Sequence, residues 1–192
     1  MRMDAPRIPP LPEEEWTDEV RKLLAPAQAQ LTPDSEQATI FNIFRTLAHY
    51  PGLMKRWMVF ANHVLFKSSL GARERELVIL RIGWLCRAGY EWGQHVGIGE
   101  AAGLTLEEIR RIKIGPIDAA WSETDRALLE ATDELHRDAF ISPDTWAKLT
   151  PHYSIEQLMD VVFAVGQYNL VSMALNTLGV QLDDGLKGLE HP

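Results

Sequence analysis

Over its 192 residues the chain shows no convincing strand-like alternation of apolar and polar side chains. Apolar residues recur instead at spacings of three and four, the period of an α-helix. A chain patterned this way buries its apolar surface helix against helix. The expectation is an all-α fold, a single-domain bundle of about eight or nine helices.

Caps and breakers divide the pattern into elements. Pro6, Pro9, Pro10 and Pro12 keep the first residues extended, along the surface or over a partner subunit. A helix is predicted over Glu13–Gln28, its three leading glutamates suiting the positive end of the helix dipole. Leu31–Ser35 reads as a loop. Further helices are predicted over Thr39–His49 and Pro51–Lys67, the second burying Leu53, Trp57, Phe60, Val64 and Leu65. Then come Ala72–Cys86 and Tyr90–Ala102, with Gly103 as a C-terminal cap. Thr105 with Glu108 and Ser154 with Gln157 have capping-box spacing. They open helices to about Ile112 and about Leu178. Between them, Ser122 opens a helix to about Asp138, and Ser142–Pro143 opens a short one. The division expected is an arm plus helix over 1–38, a helical domain over 39–185 and a tail over 186–192.

Composition narrows the function classes. Hydrophobic residues make up 46% and charged residues 24%, an ordinary globular balance. A net charge of -8 weighs against a nucleic-acid partner, because phosphate binding needs a basic face. The one cysteine, Cys86, excludes an intramolecular disulfide. The N-terminus lacks the apolar run of a signal peptide. The longest apolar windows, Leu77–Cys86 and Leu158–Val165, contain Arg81 and Asp160 and fall short of the roughly 18 residues of a membrane span. A cytoplasmic protein without a membrane partner is expected.

Residues with chemistry concentrate between Arg73 and Gly103. Glu76 and Arg81 sit in an apolar helix; Glu76 is either partly buried or paired at the surface with Arg73 or another cation. Glu91 and His95, four apart, share a helix face and form a candidate acid–base pair. The same spacing permits two metal ligands, but no third is evident and no metal is expected. Cys86 ends its helix, either as a small apolar filler or as a reactive thiol. Trp84, Tyr90 and Trp92 are candidates for a pocket wall or for core. Tyr168 and Asn169 are polar groups within an apolar helix that need partners.

The block from Arg75 to Arg81, Cys86, Tyr90–Glu91–Trp92, His95 and Ala101–Leu104 resembles the carboxymuconolactone decarboxylase family. So do Phe44–Ala48 and Pro51 upstream and Tyr168–Leu170 with Leu175–Asn176 downstream. The resemblance implies an AhpD-like helical fold, assembled as trimers or hexamers, with sites near subunit interfaces. Alkylhydroperoxidase members carry Cys-x-x-Cys-x-x-x-His with a glutamate on the preceding helix. Aligned on His95, the two cysteine positions fall on Ala88 and Glu91, and the glutamate on Glu76. The dithiol is absent, and one thiol cannot both attack peroxide and resolve the sulfenic acid.

The leading expectation is therefore a cofactor-independent lyase or isomerase acting on a small lactone or carboxylic acid. His95 serves as acid–base residue, Glu91 orients it or relays its proton, and Glu76 is a second relay group. Arg81 anchors a carboxylate, while Tyr90, Trp92 and Tyr168 bind substrate. A peroxidase using Cys86 alone and a non-catalytic oligomer binding a small ligand are the alternatives.

Overall fold

A computed structural model describes residues 3–31 and 40–191. Among them are nine α-helices and no strand. In chain order these are α1 (Asp18–Leu31), α2 (Asn42–Leu47), α3 (Pro51–Phe66), α4 (Ala72–Leu85), α5 (Gly89–Ala101), α6 (Leu106–Ile114), α7 (Glu123–Asp138), α8 (Pro143–Leu149) and α9 (Ile155–Leu178).

The helix α4 is the axis of the fold. Every residue from Glu76 to Gly83 is buried, because α5, α6, α7 and α9 pack around it. A helix apolar on all sides has no solvent face to spare. Its two buried charges, Glu76 and Arg81, must then be paired. The second core helix is α9, packed on α4 and α7. By length and composition alone α9 is apolar enough to cross a membrane, which counting uninterrupted runs had missed; half of its most apolar window is buried within this fold.

The caps read from sequence hold the helices. Both capping boxes form, Thr105 with Glu108 and Ser154 with Gln157. Ser122 and Ser142 cap α7 and α8 through their hydroxyls. Gly103 and Gly179 take left-handed backbone after α5 and α9.

The N-terminal third departs from expectation. Glu13–Glu15 form one 3-10 turn, not the start of α1. The α-helix starts at Asp18, where the Thr17 hydroxyl accepts from the Val20 N–H at 3.3 Å. The acids that suit its dipole are Asp18 and Glu19. It runs to Leu31, which had been expected in a loop; the rest of that loop, with Thr39, lies outside the described residues. The helix α2 begins only at Asn42, and its missing cap comes from far along the chain. Asp183 Oδ1 accepts from the Asn42 N–H at 2.8 Å. On α3 the buried side is Met54 and Val64. Leu53 and Phe60, expected inside, are 50% and 38% exposed, because the face they occupy meets only the outer edge of α9.

The N-terminal arm and the C-terminal segment are both docked on the helices. Arg7 and Ile8 donate their N–H groups to the Leu178 carbonyl, so the arm runs over the end of α9 of its own chain. The C-terminal segment crosses α5 at Gly93, where an added Cβ would stand 2.6 Å from the Lys187 carbonyl oxygen.

Candidate active site

The site is built on the turn joining α4 to α5. Arg87 takes left-handed backbone there, φ 51°, and Ala88 N–H closes on the Gly83 carbonyl at 2.9 Å. The two helices leave this turn packed side by side. That brings Glu76 of α4 beside His95 of α5, although 19 residues separate them.

His95 is held between two carboxylates. Its Nδ1 lies 2.6 Å from Glu76 Oε2, and its Nε2 lies 2.9 Å from Glu91 Oε1. All three side chains are buried, at 6%, 0% and 5% exposure. Glu76 Oε1 accepts from Arg75 Nε at 3.3 Å. The surface pairing considered for Glu76 is thus excluded, and Arg73 instead bonds Asp125 and Glu108. Burial alone would discharge the imidazole. The charges of Glu76 and Glu91, with their hydrogen bonds, outweigh it and push the His95 pKa up to about 10. Both ring nitrogens then donate, and the unit is carboxylate–imidazolium–carboxylate.

This unit opens on a cavity of about 190 Å³. Glu91 and His95 are in its wall, Glu76 stands behind them, and Tyr168 closes it edge-on against the His95 ring at 5.0 Å. The Tyr168 hydroxyl meets no protein acceptor among the described residues. Burial, together with the charges of Glu91 and Glu76, raises its pKa well above the ordinary tyrosine value, so it stays a neutral donor. The remaining wall is mostly apolar: Phe41, Phe44, Trp57, Leu65 and Ile98 among others. No lysine or arginine lines it.

Tyr90 also reaches the cavity wall, but its hydroxyl is committed. It donates to Asp183 Oδ2 at 2.5 Å and accepts from Gln94 and from the Ile43 N–H. Tyr90 thus ties α5 to the start of α2 and to the C-terminal segment.

Three residues expected at the site lie elsewhere. Arg81 is not a substrate anchor. Its guanidinium grips Asp133 at 2.6 and 2.7 Å and donates to the carbonyls of Ile112 and Lys113 at the end of α6. Five residues from Glu76 on one helix, it points away from His95. Trp92 is not a pocket residue either. It is fully buried against Trp84, with the Lys113 ammonium 5.0 Å from its ring centroid and its N–H donated to the His191 carbonyl. Next to Glu91 in sequence, it projects from a different side of α5. Cys86 does not line the cavity: its thiol donates to Asn169 Oδ1 at 3.0 Å and lies 3.9 Å from His136 Nδ1. Among the described residues no group of three or more His, Cys, Asp or Glu is placed to hold a metal ion.

Gln94, Asn62 and Gln167 line the cavity and were missed in the sequence. Gln94 carries a signal, one residue from His95 on the same helix. Gln167 carries another, a polar residue beside Tyr168 in the apolar α9.

Residues 51–134, from α3 into α7, match the family model of the carboxymuconolactone decarboxylase family. The matched segment, less than half of the chain, sits within an AhpD-like fold. The match includes Glu76, Glu91 and His95 and stops short of Tyr168. An alkylhydroperoxidase AhpD core protein from Ralstonia eutropha JMP134, peroxidase-related and uncharacterized, superposes with a TM-score of 0.78 at 19% identity. It covers 92% of this chain and 93% of its own. A peroxidase-related protein from Silicibacter sp. TM1040 gives 0.72 at 16% identity, over 95% and 92%. The debrominase Bmp8, in complex with 2,3,4-tribromopyrrole, gives 0.73 at 12% identity, over 92% and 91%. These likenesses fix the fold alone. No curated protein matches its sequence.

Proposed function

We propose that the chain is a cofactor-independent acid–base enzyme that moves a proton at carbon on a small neutral carbonyl compound, a lactone before a free acid. The observation that carries this reading is the carboxylate–imidazolium–carboxylate unit opening on an apolar cavity. Glu91, with one oxygen bonded to His95 and its carboxylate in the cavity wall, takes a proton from the carbon next to the carbonyl. The enolate oxygen that forms accepts from the neutral Tyr168 hydroxyl. Glu91 returns the proton to the same or a neighbouring carbon, so atoms and charge balance. His95 shares its protons with Glu91 and Glu76 and keeps the two carboxylates together inside the fold.

A free carboxylate substrate is disfavoured. Its charge would stand in an apolar chamber beside Glu91, with no guanidinium or ammonium in the wall to meet it. The volume suits a single ring with a few substituents. A debrominase of this fold binds a ring of that size. Peroxide reduction would have to run at Cys86, away from the cavity and the buried triad.

The test is deuterium uptake from D₂O into γ-valerolactone, followed by proton NMR. Glu91→Gln keeps the shape and removes the base; uptake is expected to fall by at least about 100-fold. Undiminished uptake in that variant would falsify the reading.

A further inference from the structure

The chamber beside His95 has a neighbour. A second cavity of about 670 Å³ lies along α3 and α9, and Ile43, Trp57, Gln167 and Val171 line both. Its wall is apolar, apart from Arg56, Thr46 and Gln167. At the junction stands the Gln167 side chain, 5% exposed, with no hydrogen-bonding partner among the described residues. Its amide lines both cavities and faces whatever fills them. A polar group placed there without a protein partner is free to bond a ligand that passes it.

Resting on the acid–base reading of the inner chamber, we propose that the substrate spans both cavities. An oxygenated head lies beside Glu91 and His95, Gln167 hydrogen-bonds that head at the junction, and an unbranched alkyl tail runs along the outer groove. The substrate class is then an alkyl-bearing neutral lactone or ketone. Continuity with the inner chamber favours a ligand tail over a second copy of the chain as occupant. A protein side chain could fill the outer groove, but it would leave the Gln167 amide without its partner.

Gly166 gives the means of testing this. It lines the outer groove, and a Cβ built there meets nothing within 4 Å. Replacing a mid-helix glycine with leucine also favours the helix. Gly166→Leu therefore fills the groove in a folded protein.

The probe is a series of γ-lactones from γ-valerolactone to γ-dodecalactone, with binding to the natural protein followed by calorimetry. Affinity is expected to rise roughly fourfold for each added methylene. Gly166→Leu removes this dependence, while γ-valerolactone, too short to enter the groove, binds both proteins alike. Gln167→Leu weakens every member by a common factor of about 2 to 10 and leaves the dependence on length. A flat series, or a Gly166→Leu variant that keeps the full dependence, overturns the proposal. If the series is flat and Gly166→Leu changes the mass in light scattering, the groove seats a second copy instead. Deuterium uptake into γ-valerolactone reports on the inner chamber separately: uptake with a flat series retires the two-part site and leaves the acid–base reading.

Discussion

At the scale of single residues, His95 sets the behaviour of the site. Folding raises its pKa from the ordinary value near 6.5 to about 10. The charged form is thereby favoured in the folded state, so His95 contributes its full stabilisation below about pH 6.5. That contribution declines as pH rises and is lost as pH passes about 10. The melting temperature should therefore fall between pH 7 and 10, and fall less in Glu91→Gln, which has one counter-charge fewer. Calorimetric scans across that range check it. Arg81 illustrates the opposite case, a charge bound up in packing α4 against α6 and α7. Arg81→Met strands Asp133 and the last carbonyls of α6, and should cost roughly 2–3 kcal/mol, toward the low end because Asp133 is partly exposed. Deuterium uptake in the folded fraction should be unchanged. The sequence made Glu76, Glu91 and His95 visible through type and spacing. It gave no sign that Arg81 would turn to Asp133, 52 residues on, because that pairing is tertiary.

At the scale of elements, the turn between α4 and α5 decides whether the site forms, and it is strained. Arg87 holds a left-handed backbone that costs an L-residue about 1–2 kcal/mol. Arg87→Gly should therefore raise stability by about 1 kcal/mol, less than the full strain because glycine also loosens the unfolded chain. Urea unfolding measures this, and a destabilised variant would contradict it. Four helix starts were legible from a side chain that caps its own helix: Thr105, Ser122, Ser142 and Ser154. The start of α1 was misread because a run of glutamates imitates a first turn, while the actual cap is Thr17. The start of α2 was beyond reach of local reading, since its cap, Asp183, lies 141 residues away.

At the scale of the molecule, the C-terminal segment closes over α5, and the N-terminal arm closes over α2 and the end of α9. Asp183 gathers the Asn42 N–H, the Tyr90 hydroxyl and the Gln94 amide, so one carboxylate joins the C-terminal segment, α2 and α5 at the cavity wall. Asp183→Ala leaves these donors unmet and should cost about 2–4 kcal/mol. Thermal unfolding measures the cost, and an unchanged melting temperature would show the junction to be incidental. The all-helical class followed from periodicity, and the AhpD-like fold from the block around Glu76 and His95. Which face of α3 is buried, and that two cavities adjoin along α3 and α9, depended on packing that periodicity does not encode. The α4–α5 pair holds one imidazole between two carboxylates. Nitrogen NMR of the His95 ring, recorded at pH 8 on protein labelled at histidine, tests that arrangement most directly. The account predicts both nitrogens protonated in the natural protein, with the charged form persisting until pH approaches 10. A neutral ring at pH 8, titrating near the ordinary value of about 6.5, would contradict it.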